Sequence, residues 1–210
     1  MKKIYLFFLL LLFVGIGSSQ VYVEEPSYQY ENDEYGFHVA MAQQGFGLGG
    51  FYMKLISPGN YIGFNGAFYK IRDNKEFQFY YYGYTVVRNK INNLFIIPLL
   101  VSYKKYFSTG IFANDLRPNF YMSAGTILGM NFPNKDNLPP DTDPDVIRQL
   151  DNEFELGASW GIGLAMDIST GKNLFLTIRP QYQWVVFRNS IAQQKWHNYY
   201  ELRFEFGVRK

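Results

Sequence analysis

The chain contains no cysteine, and only two of its 210 residues are histidine. Without cysteine no disulfide can form, which excludes the small disulfide-stapled secreted scaffolds and leaves a fold that is stable without cross-links. Two histidines without cysteine are also too few for a metal centre built from these ligands, so we predict no metal site. No motif in the sequence indicates a cofactor either.

An excess of charge is lacking as well. Lys2 and Lys3 lie in the first segment, and removing them lowers the count of basic residues from 20 to 18, against 18 acidic residues. A chain close to neutrality has no electrostatic attraction for polyanions, so we expect no nucleic-acid partner.

Long hydrophobic runs are absent after the first 19 residues. The apolar run of residues 4–17 follows two lysines and is shorter than the roughly 20 residues of a transmembrane helix. Gly17 and Ser19 supply the small residues of a cleavage site, so residues 1–19 are predicted to be a signal peptide for export. Residues 20–34 carry five acids and no base, and are interpreted as a periplasmic N-terminal lead.

Aromatic residues are abundant, at 20% of the chain, and alternate with polar residues in eight segments. Because successive side chains leave a strand on opposite faces, such alternation predicts β-strands. The eight segments are YGFHVAMAQ (35–43), GLGGFYMKLI (47–56), NYIGFNGAFYKI (60–71), NNLFIIPLLVSYKKYF (92–107), LRPNFYMSAGTILGMNF (116–132), FELGASWGIGLAMDI (154–168), NLFLTIRPQYQWVVF (173–187) and YELRFEFGVRK (200–210).

The volume of the two faces indicates which one points outward. The apolar faces carry Phe, Trp, Leu and Met, which would not fit inside an eight-stranded barrel, whereas the opposite faces are richer in small and polar residues. We therefore predict an all-β fold, an eight-stranded antiparallel transmembrane β-barrel over residues 35–210; a soluble sandwich or lipocalin-like barrel is the alternative. In the ambiguous segment 93–107, Phe95 and Leu99 are predicted to face outward and Pro98 and Lys104 inward.

Charged residues on the inward faces are predicted to form a network inside the lumen, because a single buried charge costs several kcal/mol or so. The predicted members are Lys54, Arg117, Glu155, Asp167, Arg179, Glu201, Arg203, Glu205 and Arg209.

The final strand YELRFEFGVRK, and the stretch NKINNLFIIPLLVSYKKYF followed by LRPNFYMSAG, resemble the small outer-membrane β-barrels of Gram-negative cells, of the OmpA/OmpX type. Most members of the similar family lack an assigned biochemical role. The resemblance implies an outer-membrane location, contact with membrane lipid and lipopolysaccharide, insertion by the outer-membrane machinery, and a monomer. Final strands in this class typically end on an aromatic residue, whereas here Phe206 precedes a terminal Lys210.

Function is predicted to lie in the long loops 72–91 and 132–152, in a structural or surface-interaction role with a possible protein partner. The first loop holds an aromatic patch of Phe77, Phe79, Tyr80, Tyr81, Tyr82 and Tyr84. This patch is interpreted as a hairpin extending the barrel, or alternatively as a sticky surface. The second loop contains Asp136, Asp141, Asp143, Asp145 and Asp151, and is interpreted as solvated, with weak divalent binding as the alternative.

Three other functions stay open at this stage. The first is a narrow, porin-like channel or a carrier of small hydrophobic molecules. The second is a lipid-modifying enzyme that uses His38 with Ser123 or Ser159, although no motif joins them and we predict no catalytic residue. The third is an accessory of a secretion system that binds through the N-terminal lead.

Overall fold

The computed structural model of the protein describes residues 32–43, 45–72, 77–81, 84–88, 92–107, 116–134, 151–170 and 173–210, with backbone alone for 77–81 and 84–88. Eleven strands are found in these ranges: β1 Glu34–Ala42, β2 Gly45–Ser57, β3 Asn60–Ile71, β4 Phe77–Tyr81, β5 Tyr84–Arg88, β6 Leu94–Tyr106, β7 Leu116–Asn131, β8 Glu153–Ser169, β9 Leu174–Ile191, β10 Gln194–Trp196 and β11 Tyr199–Arg209. No helix in the described part of the chain has the length and hydropathy to cross a membrane.

Eight of these strands close into an antiparallel barrel. The order around it is β1, β2, β3, β6, β7, β8, β9 and β11, and β1 pairs with β11 to complete the ring. Strand β10 adds a short pairing to β9, and β4 pairs with β5 in a separate two-stranded sheet. The predicted eight-stranded transmembrane barrel is thus confirmed, and the eight predicted segments coincide with its strands.

The two ends of the barrel differ in their connections. The end where Asp33 and Lys210 exchange backbone hydrogen bonds, here called the terminal end, carries the turn at 58–59, and there β6 is followed by β7 and β8 by β9. At the opposite, distal end β3 is followed by the β4–β5 hairpin, β7 by β8, and β9 by β10. The longest connections therefore share the distal end.

The outer surface of the barrel is apolar. Phe64, Leu99 and Leu156 are exposed at 68%, 64% and 65% of their surface, while their strand neighbours Asn65 and Leu100 are buried. Only a hydrocarbon solvent accepts such a surface all around a closed sheet, in which every backbone group is paired. The predicted register of β6 is confirmed, since Phe95 to Tyr103 alternate outward and Lys104 is buried inside.

The lumen is filled by side chains, including larger rings than the sequence had suggested. Residues Ala40, Ala67, Tyr69, Ile71, Leu94, Ile96, Ile127, Val185, Phe187, Ile191 and Tyr199 form an apolar cluster toward the distal end, and Phe51, Met53, Tyr61, Tyr106 and Phe175 form another toward the terminal end. Inward glycines make room for these rings: a Cβ on Gly47 would lie 2.4 Å from the Tyr69 ring.

Candidate functional site

Four charged side chains meet inside the terminal end of the barrel, and we call them the terminal cluster: Glu34, Lys104, Asp167 and Arg209. Lys104 Nζ lies 2.7 Å from Glu34 Oε2 and 2.8 Å from Asp167 Oδ2. Arg209 Nε lies 3.0 Å from Glu34 Oε1, and its Nη2 lies 3.1 Å from Asp167 Oδ2. The Lys104 ammonium also lies 4.7 Å from the centroid of the Tyr106 ring. With two charges of each sign, the cluster is neutral, which a buried position requires.

Neutral polar groups complete the terminal cluster. Asn119 Nδ2 and Thr177 Oγ1 donate to Asp167 Oδ1 at 2.9 and 2.7 Å. The Tyr106 hydroxyl lies within hydrogen-bonding distance of both carboxylates, 2.9 Å from Glu34 Oε1. The cluster thus joins β1, β6, β7, β8, β9 and β11, which explains how charges inside a narrow barrel are tolerated.

Four charged side chains on β9 and β11 occupy the middle of the lumen, and we call them the central cluster: Arg179, Glu201, Arg203 and Glu205. Arg179 forms an ion pair with Glu205. Its guanidinium carbon also lies 3.5 Å from the centroid of the Tyr121 ring. The Tyr121 hydroxyl in turn accepts a hydrogen bond from Asn65 Nδ2 at 3.0 Å and lies 2.6 Å from Ser102 Oγ.

The second half of the central cluster surrounds Glu201 and Arg203. Arg203 Nη2 donates to Glu201 Oε1 at 2.7 Å, and Tyr69 donates to Glu201 Oε2 at 2.9 Å. Gln181 also donates to Glu201. Arg179 and Arg203 are both 1% exposed, so the middle of the lumen is packed with side chains.

The predicted lumen residues fall into three groups: those in the two clusters, those elsewhere on the barrel wall or rim, and one that faces outward. Asp167, Arg179, Glu201, Arg203, Glu205 and Arg209 meet in the two clusters described above. Arg117 lies opposite Asp167 in the β7–β8 register, and Glu155, nearer the distal rim, accepts hydrogen bonds from Asn189. The prediction for Lys54 is wrong: it is exposed on the outer face of β2, opposite the exposed Ile62, because on this strand Phe51 and Met53 point inward.

The predicted network did not include two members of the terminal cluster. Lys104 was correctly predicted to point inward, but it was not included in the network. Glu34 was assigned to the N-terminal lead, one residue before the predicted barrel. The signal that could have found Glu34 is the alternation of β1, because it has the same parity as His38 and Ala40.

His38 and the serines considered with it are all buried and face the lumen. The His38 ring packs against β2, where a Cβ on Gly49 would lie 2.5 Å from His38 Cε1. Ser159 Oγ accepts a hydrogen bond from Gln183 at 2.6 Å. All three side chains therefore point away from the lipid-facing surface.

On the outer surface, all three tryptophans of the chain lie together, with two tyrosines, in what we call the tryptophan patch: Trp160, Trp184, Trp196, Tyr182 and Tyr200. Trp160 stacks on Trp184 with centroids 6.2 Å apart, and Trp196 meets Trp160 edge-on at 6.3 Å. Tyr182 contacts Trp184 at 4.6 Å and Tyr200 at 4.5 Å. Aromatic side chains of this kind mark membrane–water interfaces.

The loop predictions fall largely outside the described residues. The backbone of β4 and β5 forms the predicted hairpin, with Phe77 opposite Arg88 and Tyr81 opposite Tyr84. The side chains of the predicted aromatic patch, and Tyr82 altogether, lie outside the described residues, as do residues 135–150 of the acidic loop. Among the described residues, no group of three or more histidine or acidic side chains could hold a metal ion.

Asp33 precedes β1 at the terminal end, outside the membrane-spanning strands. The Tyr52 hydroxyl donates to Asp33 Oδ2 at 2.5 Å, and the Leu55 backbone N–H donates to Oδ1 at 3.0 Å. These hydrogen bonds, with Tyr52 the larger cause, lower the pKa of the Asp33 carboxyl below its ordinary value, because they stabilise the ionised form.

Comparison with solved structures agrees with this architecture. A major outer membrane protein of Thermus thermophilus is similar with a TM-score of 0.51 at 11% identity, over 85% of this chain and 99% of that one. The N-terminal β-barrel domain of Pseudomonas aeruginosa OprF has a TM-score of 0.45 at 12% identity, over 85% and 97%. Neisserial surface protein A has a TM-score of 0.44 at 13% identity, over 84% and 94%. No family model matches the sequence, and no curated protein matches it either.

The closed sheet, its apolar exterior and its lumen filled by charged, polar and apolar side chains define the class. The chain is an eight-stranded transmembrane β-barrel of the outer-membrane type. Its fold is that of the small OmpA/OmpX-type barrels, as the sequence resemblance implied.

Proposed function

We propose that this barrel is exported by residues 1–19 to the outer membrane and has a structural or surface-interaction role through its distal loops, with no catalytic activity. One observation carries the proposal. The lumen is filled along its length, because buried charges in its middle and terminal end are followed by an apolar cluster that contains Phe187 and Ile191. A barrel plugged in this way offers its loops and its lipid-facing surface to partners.

The first test is conductance. The purified protein in planar bilayers is expected to give no discrete current steps, because water and ions would have to displace the packed side chains. Steps of constant amplitude would favour the narrow channel instead.

The second test separates a structural role from loop-mediated interaction. Cells without the protein are compared for sensitivity to sodium dodecyl sulfate after complementation with the full chain or with a variant whose residues 77–88 are replaced by a two-residue Asn-Gly turn. Because β4 and β5 form their own sheet, the variant is expected to fold and to shift mobility on heating. Full rescue by this variant would assign the role to the barrel, and failed rescue would assign it to the hairpin.

Absence of enzymatic activity is tested by the lipid composition of the same cells. Unchanged lipid A and phospholipid profiles are expected, because His38, Ser123 and Ser159 point into the lumen. A new acylated or deacylated species that depends on His38 would overturn this part of the proposal.

A further inference from the structure

A groove of about 480 Å³ lies on the outer surface beside Trp160 and Trp184. In the strand register Ala124 lies between Val101 and Trp160, so a small side chain separates two bulky ones. The lining also includes Met122 and is almost wholly apolar. Its volume falls within the roughly 300–1,000 Å³ of small-molecule sites, and its chemistry suits a hydrocarbon chain.

The tryptophan patch borders this groove, with Trp196 on its distal side and Tyr200 opposite Tyr182. Trp196, opposite Val186 in the register, is 53% exposed, and Tyr200 is 66% exposed. Exposed rings that are apolar on their faces and polar at one edge suit a ligand that is part hydrocarbon and part hydroxyl-bearing ring.

Positive charge begins where the apolar belt on β9 ends. The outward residues of this strand are Leu174, Leu176, Ile178, Pro180, Tyr182, Trp184, Val186 and then Arg188. From Leu174 to Val186 a strand tilted by about 40° rises roughly 30 Å, close to the height of the membrane's apolar band. Arg188 is exposed at this boundary, and Lys195 is exposed on β10 next to Trp196.

From this arrangement we infer that the groove, the tryptophan patch and the two cations form a binding site for one phosphorylated glycolipid of the outer leaflet. The groove holds an acyl chain, the rings contact the sugar, and Arg188 with Lys195 binds the phosphate. The inference rests on the proposed function in one respect, namely that the distal end faces outward. Charge complementarity selects this occupant, because two exposed cations beside an apolar groove match a phosphate that is joined to acyl chains.

The test uses the fluorescence of the chain itself, because its three tryptophans all lie in the patch. The refolded full barrel in non-ionic detergent is titrated with purified lipid A, with lipid A stripped of phosphate, and with phosphatidylglycerol. A saturable change in emission is expected with lipid A at the lowest concentration. The Arg188→Gln variant is expected to bind about fivefold more weakly.

Lys70→Gln is the matched control. Lys70 is an exposed cation near the distal end on β3, four strands from β9 and therefore across the barrel, with its ammonium 5.9 Å from the Phe95 ring centroid. Its loss is expected to leave lipid A binding unchanged.

Three outcomes would overturn the inference. The first is that Lys70→Gln and Arg188→Gln weaken lipid A binding equally. The second is an equal response to lipid A with and without phosphate, or to phosphatidylglycerol. The third is an emission change without lipid that follows protein concentration and accompanies a dimer in sedimentation. Because the titration uses purified protein, it is independent of cellular location. Recovery of the native protein from a soluble fraction would contradict the proposed outer-membrane location, and it would leave the binding result unchanged.

Discussion

Glu34 on the first strand of the barrel lies directly opposite Arg209 on the last, and Arg209 Nε donates to Glu34 Oε1 at 3.0 Å. The β1–β11 pairing that closes the barrel, here called the seam, is therefore stabilised by a buried ion pair in addition to its backbone hydrogen bonds. Lys104 and Asp167 complete the charge balance at the same place.

Replacing Glu34 with glutamine is expected to lower the free energy of unfolding by about 3–5 kcal/mol, because it leaves one positive charge of the terminal cluster uncompensated. Urea unfolding in detergent, followed by tryptophan emission, measures the change. Adding Lys104→Met should restore neutrality and recover part of the loss. A double variant as unstable as the sum of the two single variants would contradict a shared charge balance.

Two adjacent glycines on β2 should differ in their tolerance of alanine. A Cβ on Gly49 would lie 2.3 Å from the Gly66 carbonyl oxygen and against the His38 ring, so Gly49→Ala is expected to cost about 1–3 kcal/mol or more. A Cβ on Gly50, its outward neighbour, meets only the Gly36 carbonyl oxygen at 3.4 Å, so Gly50→Ala is expected to change stability little. Unfolding midpoints of the pair check this, and equal values would mean that the lumen at His38 is loosely packed.

Replacing a phenylalanine with alanine should cost more stability inside the barrel than on its outer face. Phe187→Ala leaves a cavity inside the plugged lumen and is expected to cost about 3–5 kcal/mol. Phe68→Ala, on the outer face and 48% exposed, should cost clearly less because acyl chains or detergent fill the space. The measurement is the same urea titration on both variants, and a larger loss for Phe68→Ala would reverse the assignment of inside and outside.

Acidification is expected to lower the stability of the folded barrel in part through protonation of Asp33 at the terminal end. Its folded-state pKa lies below the ordinary value of 3.8, so the stabilisation is complete well above that pH and is lost as the pH falls through the lowered pKa. Asp33→Asn and Tyr52→Phe should both flatten the decline in stability between pH 5 and pH 3, the range of about one unit on either side of ordinary carboxyl titration. A decline unchanged in both variants would assign it to other carboxyls.

Alternation in the sequence predicted the strands and the faces of β6 because lipid outside and polar groups inside repeat along most of the barrel. It could not decide the face of Lys54, because alternation gives the period of a strand but leaves open which face is inward. On β2 the local polarity is reversed near the terminal end, where a long lysine side chain can reach the membrane interface while Phe51 and Met53 pack inside.

The partners within the charged network were beyond prediction for a different reason. Glu201 pairs with Arg203 of its own strand, and Glu34 reaches across the lumen to Lys104, since side-chain length and barrel diameter decide these contacts. Hydrophobic patterning carries no information on either quantity. The tryptophan patch likewise depends on the stagger between β8, β9 and β10, which three separate segments of sequence do not reveal.

The seam has a consequence for how quickly this barrel can form. Glu34 and Arg209, which meet at the seam, are 175 positions apart in the sequence. Pairings this distant in sequence slow folding, and until the β1–β11 ladder forms both strands present unpaired backbone edges. We therefore expect folding without assistance to be slow and strongly limited by aggregation, with closure of β1 on β11 as the last committed step.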